Sequence, residues 1–443
     1  MKSGHQALFA ILAQRSWQAI SGAVTVVMIT TFLDVHEQGW YFGLLSLAAL
    51  YTIFDMGLSL VLVQTAAHEF IGLSWLKNGH IHGPRARRFE ALAAWAVRHY
   101  AWLALAFGLI VTPFGFWFFS AAPSKGPTWQ MPWVILTAIN AASLVLLPFL
   151  SLVEGSGGIR EVYLVRLLQT VAGALLCWIA LAGGLGLGAV VMPASAGIVI
   201  QGIWLWQRKS RLVRSVLATQ IGPTNWRREI WPHQWQIAVS WLSGYMLTQL
   251  YIPLLFAVQG AAVAGQMGLS LTLSNMLGLL ALSWITRHVP DMANAVAGGD
   301  WDRFRIQCRR DLILSCLAFL GGAAVLCIVH KLAPSHYTDR VLPFWTFAGL
   351  LLSGFLNHIQ TSLATQLRSF RREPLVWILL AGSTLTAAAA AWGAVHYSSG
   401  GVVAAMLSVQ LLLSTPASIL LYRRCIGRWR QGLTTSLPVP GRN

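Results

Sequence analysis

The chain has 443 residues, of which 56% are hydrophobic and only 10% charged, with a net charge of +17. Soluble domains carry about 25% charged residues, so this composition excludes an ordinary water-facing globule. Apolar runs without strict alternation exclude an outer-membrane barrel and imply helices that cross a bilayer.

In chain order, apolar segments fall at 7–33, 39–66, 91–119, 131–153, 161–183, 187–206, 234–258, 262–286, 311–332, 341–366, 374–395 and 400–421. Each approaches or exceeds the ~20 residues that span a hydrocarbon core. The reading is all-α, with twelve transmembrane helices and both termini cytoplasmic. Lys2 is followed by apolar residues without a small-residue cleavage site, so the first segment reads as a retained span. Short glycine-marked hairpins are expected at Gly183–Gly188 and Gln259–Ala261.

Charge tests this count. With a cytoplasmic N-terminus, the outside loops hold only Lys125, Lys331 and Arg340, and Arg15 and Arg166 fall within spans. Every other Lys and Arg lies in a cytoplasmic segment, as the positive-inside rule requires. Losing one span would invert every later loop and destroy the asymmetry. The basic balance therefore reads as topology and contact with anionic membrane lipids, not as nucleic-acid binding.

The long basic gap Arg208–His233 divides the spans six and six. Expected domains are an N-terminal six-helix bundle (1–210), a cytoplasmic linker (211–232), a C-terminal six-helix bundle (233–424) and a basic tail (425–443). Gly39 opens span two and Gly265 opens span eight in similar surroundings, and Arg160-Glu161 has a counterpart in Arg372-Glu373. Six spans per half is even, so this is a parallel repeat with a pseudo-two-fold axis along the membrane normal.

Few residues carry chemistry. The five cysteines lack metal-type spacing, and His80 and His82 have no third ligand nearby. No nucleophile–base pair, metal motif or phosphate-cradling loop stands out, so neither an enzyme nor a cofactor is expected. Asp55, inside the apolar stretch Glu37–Glu69, is costly in a membrane and marks a partner, cavity or pathway.

Several stretches resemble one family. They are Gln38-Gly-Trp-Tyr-Phe-Gly43 with Phe54-Asp-Met-Gly-Leu-Ser59; Leu152-Val-Glu-Gly-Ser-Gly-Gly-Ile-Arg-Glu161; and Gly265-Gln-Met-Gly-Leu-Ser270 with Pro290-Asp-Met-Ala293 and Gly299-Asp-Trp-Asp-Arg303. These pieces resemble the polysaccharide-transport branch of the multidrug/oligosaccharidyl-lipid/polysaccharide exporter superfamily. The resemblance implies a bacterial inner-membrane flippase of two six-span bundles. It would carry undecaprenyl-diphosphate-linked oligosaccharide, such as O-antigen or exopolysaccharide repeat units, from the cytoplasmic to the periplasmic leaflet. Polysaccharide polymerase and glycosyltransferases are the partners it implies. Span seven departs from the family, with Thr248-Gln249 where an Asn/Asp pair is usual.

A diphosphate crossing a low-dielectric layer needs cationic donors, and the Arg fork matches phosphate oxygens. Arg15 is the first candidate, about 12 Å into span one at 1.5 Å per residue, with Gln14 and Gln18 beside it. It either lines a cavity or flanks the cytoplasmic interface. Arg166 is the second, at a cavity mouth or snorkelling to that interface. Asp55 is a coupling site for a proton or sodium, a counter-charge for Arg15, or a helix–helix partner. Glu154 is expected to cap or gate with Arg160. Gln249 and Gln360 offer amides to a sugar, or tie helices together. A cation-coupled multidrug exporter of the same superfamily and a membrane polysaccharide polymerase or ligase are the alternatives. The first wants more acids than Asp55 in its cleft, and the second wants a larger outside loop than Ala121–Gln130 or Ala333–Arg340.

Overall fold

The structure, a computed structural model, describes residues 2–76, 79–121, 127–219, 226–370 and 374–430. The described residues are almost entirely helical, and the one sheet among them is a two-stranded antiparallel ribbon. The chain divides into two compact units, Met1–Leu269 and Ser270–Asn443.

The first unit opens with α1 (Lys2–Phe32). Asp34 then caps α2 (Val35–Ala48). Its carboxylate accepts from the Glu37 N–H at 2.7 Å, and Glu37 accepts from the Asp34 N–H at 3.1 Å. This reciprocal capping box satisfies two donors that a helix start leaves open. The same span continues as α3 (Tyr51–Asp55) and α4 (Leu58–Glu69), separated by Met56 and Gly57 at φ 44° and 68°. Left-handed backbone at two successive residues cannot continue an α-helix, and glycine makes the second step cheap.

After the ribbon β1 (Ser74–Trp75) and β2 (Ile81–His82), the chain runs through α5 (Ala86–Ser120), α6 (Gln130–Gly155), α7 (Ile159–Ala182), α8 (Met192–Arg208) and α9 (Ser210–Ala218). It continues through α10 (Trp226–Thr248) and α11 (Tyr251–Gln259) into α12 (Ala261–Thr286). The two expected hairpins form at Gly184–Val191 and at Gly260, which sits at φ 89°.

α1 packs on α7, where the Trp178 indole donates to Thr25 at 2.9 Å. α5 packs on α6, where the Trp133 indole donates to the Thr112 carbonyl at 3.0 Å. Trp40, Phe119, Trp129, Trp133 and Phe256 form one aromatic core, with ring centroids 4.9–5.8 Å apart in each touching pair. Trp40 is 1% exposed, so this tryptophan is core and not an interfacial anchor.

The second unit holds the rest of α12, then α13 (Val289–Ala297), α14 (Trp301–Leu332), α15 (Ser335–Thr338), α16 (Phe344–Arg368), α17 (Val376–Val409) and α18 (Thr415–Arg430). α17 leaves helical geometry at Tyr397 and Ser398, and Gly393 lies against Gly401. Residues eight apart cannot touch in a straight helix, so two helices meet there at a tight turn.

Among the described residues, eight helices are long and apolar enough to cross a membrane, or nine if the bent pair α10–α11 is one span. These mark a multi-pass membrane protein. The measure falls short of the expected twelve for identifiable reasons. Only Ser16–Phe32 of α1 enters the measure, α16 carries several polar residues, and Val376–Trp429 counts once despite its turn. The boundary between compact units also differs from the expected linker. It falls inside α12, because α10 packs on α3 and α4 and α11 packs on α2.

Candidate functional site

The first candidate place is the break in span two. Asp55 ends α3 and is 3% exposed. One carboxylate oxygen accepts from the Ser59 hydroxyl at 2.8 Å, and the other from the Ser59 N–H at 3.2 Å and from the Tyr100 hydroxyl on α5. Gly57 faces α10 so closely that a Cβ there would lie 2.3 Å from Ile237 and 2.8 Å from Trp241. The break thus joins α3–α4, α5 and α10 around one buried carboxylate. Among the described residues no ion pair involves Asp55. Hydroxyl and amide donors from Ser59 and Tyr100 hold the carboxylate there.

The second place lies where α6 turns into α7. Gly157 at φ 91° and the bond from Gly158 N–H to the Val153 carbonyl at 2.8 Å fold the chain back. Glu154 then receives Arg166 Nη2 at 2.8 Å, with the Arg side chain 31% exposed and the Glu 17%. The Arg166 guanidinium lies 5.1 Å from the Tyr163 ring centroid. Glu154 was expected to meet Arg160. Arg160 sits exposed in the first turn of α7, and Arg166, two turns further on, reaches back to the carboxylate.

Beside this pair is a cluster that sequence reasoning did not single out. Glu161 accepts from the Trp204 indole at 2.8 Å and from Lys209 at 3.0 Å. Lys209 lies 4.6 Å from the Trp75 ring centroid, and the Trp75 indole donates to Ser156 at 3.0 Å. Residues from the ribbon, α7 and α8 therefore converge on this end of the unit. The only sequence signal was the basic run after α8, which reads as topology.

The remaining candidates separate. Gln14 is buried on α1. The Arg15 side chain lies outside the described residues. Gln249 is half-buried at the break between α10 and α11, where the helices bend by 41°. Gln360, in the second unit, is 3% exposed, and its amide donates to Thr415 at 3.0 Å. That donor ties α16 to α18. Among the described residues no cluster of three metal-type ligands occurs.

No family model and no curated protein matches the chain. Solved structures do. An inward-facing multidrug resistance MATE family transporter of the MOP superfamily aligns with a TM-score of 0.66 at 14% identity, covering 94% of this chain and 100% of its own. The lipid II flippase MurJ, in an inward closed conformation, aligns with a TM-score of 0.66 at 10% identity, covering 94% and 87%. The eukaryotic MATE transporter AtDTX14 aligns with a TM-score of 0.63 at 12% identity, covering 98% and 99%. At these identities the likeness establishes architecture: the chain has the fold shared by MATE-family transporters of the MOP superfamily and MurJ.

Proposed function

We propose that the protein is a twelve-span transporter of the bacterial inner membrane, with both termini cytoplasmic. It flips undecaprenyl-diphosphate-linked oligosaccharide from the cytoplasmic to the periplasmic leaflet by alternating access, for surface polysaccharide biosynthesis. The observation that carries this reading is the Arg166–Glu154 pair. A partly exposed guanidinium, held by one carboxylate at 2.8 Å, is a phosphate receptor with an exchangeable occupant. An arriving diphosphate offers the same planar match as the carboxylate, with more charge. Arg15 on α1 is the second phosphate donor in this proposal, with Gln14 beside it. Anionic lipids contact the basic loops. The polymerase and the glycosyltransferases act after and before the flip.

The pair gives two variants with opposite outcomes. Arg166→Ala should weaken binding of undecaprenyl-diphosphate-linked oligosaccharide to the purified protein about ten- to a hundredfold, the worth of one charge-assisted contact. Glu154→Gln should strengthen it, because the guanidinium is no longer neutralised. Equal affinity in both variants would remove Arg166 from the site.

A second reading, a cation-coupled multidrug exporter, is favoured by one observation, the buried Asp55 at a helix break. One MATE structure and MurJ align with this chain at the same TM-score of 0.66, so the substrate has to be tested directly. A polymerase or ligase would instead transfer sugar in a purified system.

A further inference from the structure

The second unit carries an apolar groove of about 420 Å³ between α12 and α14 that the proposed flipping step does not use. Leu277, Ala281, Trp284 and Arg287 line it from α12, and Ala318 and Gly322 from α14. Steps of three or four residues put each set on one face of its helix. Small side chains leave the groove open on the α14 side. Leu277 packs on Gly322, its Cδ2 2.5 Å from where a Cβ would stand, and Ala318 is exposed. The Ser315 hydroxyl donates to the Ala281 carbonyl at 2.8 Å and holds the two helices together beneath it. Only 11% of the apolar window of α14 is buried, so most of that helix is left for hydrocarbon to cover.

The two ends of the groove differ in chemistry. One is closed by Leu277 over Gly322. At the other, Arg287 follows the last residue of α12, and its guanidinium lies 4.6 Å from the Trp284 ring centroid. Arg287 is exposed, and among the described residues no acid pairs with it. From Leu277 to Arg287 the helix rises about 15 Å, at 1.5 Å per residue. That is about half of the ~30 Å hydrocarbon core, the depth of one leaflet. Trp284 and Arg287 then stand at headgroup depth, where such side chains anchor. α13 returns the chain to α14 at this same end. The exposed acids here, Asp291, Asp300 and Asp302, are outnumbered by exposed Arg287, Arg303, Arg305, Arg309 and Arg310.

We infer that this groove binds one anionic phospholipid. An acyl chain lies along Ala281 and Ala318 as far as Leu277, and the phosphate sits on Arg287. The guanidinium fork matches two phosphate oxygens, and the indole beneath it fixes its plane. A net negative headgroup is favoured over a zwitterionic one by the arginine excess around the mouth. The length of the groove suits an acyl chain of one leaflet. An undecaprenyl chain is several times longer and would leave most of itself outside. The site lies in the other unit from the Arg166–Glu154 pair and does not depend on which substrate is carried.

Native mass spectrometry of the purified full-length protein, with phosphatidylglycerol, phosphatidylcholine or undecaprenyl phosphate added, tests this. The natural protein should retain one phosphatidylglycerol in preference to phosphatidylcholine. Arg287→Gln should weaken that retention about tenfold, the worth of one charge-assisted contact. Ala318→Phe fills the groove and should weaken it as well. Ala324→Phe, exposed on the opposite side of α14, should not. Arg287 is exposed, so its variant serves even where Ala318→Phe does not fold. Equal retention of phosphatidylglycerol by Arg287→Gln and the natural protein, or of the two phospholipids by the natural protein, would overturn the assignment. Displacement of the Arg287-dependent phosphatidylglycerol by equimolar undecaprenyl phosphate would also overturn it and give the groove to the isoprenoid carrier.

Discussion

Exchanging Gly39 for valine should leave little folded protein in the membrane. Gly39 on α2 faces the start of α12, and a Cβ built there would lie 1.9 Å from the Ala261 carbonyl oxygen. Gly265 is the other half of the contact, since its Cβ would lie 2.7 Å from the Gly39 nitrogen. Gln38 closes the crossing by donating its amide to the Gly265 carbonyl at 2.9 Å. Small residues let helix backbones approach in a membrane, where packing and hydrogen bonds replace the hydrophobic effect as the drive to associate. An overpacked core usually costs about 1–3 kcal/mol. Here the obstruction is main chain, which has no rotamer to escape into, so about 3 kcal/mol or more is expected. Size-exclusion of a fluorescent fusion should show aggregated or absent Gly39→Val, with Gly39→Ala and Gly265→Ala strongly reduced. Gly244→Ala is the control, because nothing lies within 4 Å of its Cβ position. Normal yields of Gly39→Val would mean that the two helices do not cross there.

Asp55→Leu should be the next most damaging change. It leaves the Tyr100 hydroxyl and both Ser59 donors facing a hydrocarbon side chain. A buried donor without an acceptor costs about 1–3 kcal/mol, more where a charged partner is lost. Three such donors make a loss of about 3–5 kcal/mol reasonable. Asp55→Asn keeps one acceptor oxygen and should cost markedly less. A double-mutant cycle of Asp55→Asn with Tyr100→Phe, read by thermal unfolding in detergent, should give a coupling of about 0.5–3 kcal/mol. Additive effects would show that the hydroxyl and the carboxylate do not interact. If Asp55→Asn folds fully yet transports nothing, the carboxylate serves coupling and not only packing.

Both residues are legible in the sequence, but for different reasons. Asp55 stood out because a lone acid in an apolar run is rare and expensive. Gly39 and Gly265 stood out as matching openings of spans two and eight. That these two openings pack on each other depends on tertiary contact, and no spacing reveals it. The hairpins at Gly184–Val191 and Gly260 were legible because positive-φ glycine is a local requirement. The Arg166–Glu154 pair was not, because it is selected by the rotation of α7 and the reach of a long side chain. Glu161, Lys209, Trp204 and Trp75 were hidden for a similar reason, being spread over the ribbon and two helices. The bend at Gln249 was also hidden, because Leu250 and Tyr251 continue the apolar run without a glycine or proline before Pro253.

Substrate is the central claim, and transport by the purified protein tests it most directly. The protein is placed in vesicles containing a fluorescent undecaprenyl-diphosphate-linked oligosaccharide, and inner-leaflet label is followed as it becomes accessible to an external quencher. Vesicles with the natural protein should expose the label faster than empty ones, and those with Arg166→Ala should fall back towards the empty rate. Exposure at the empty-vesicle rate, in protein that instead exports a lipophilic cationic dye, would contradict the flippase and establish the drug exporter.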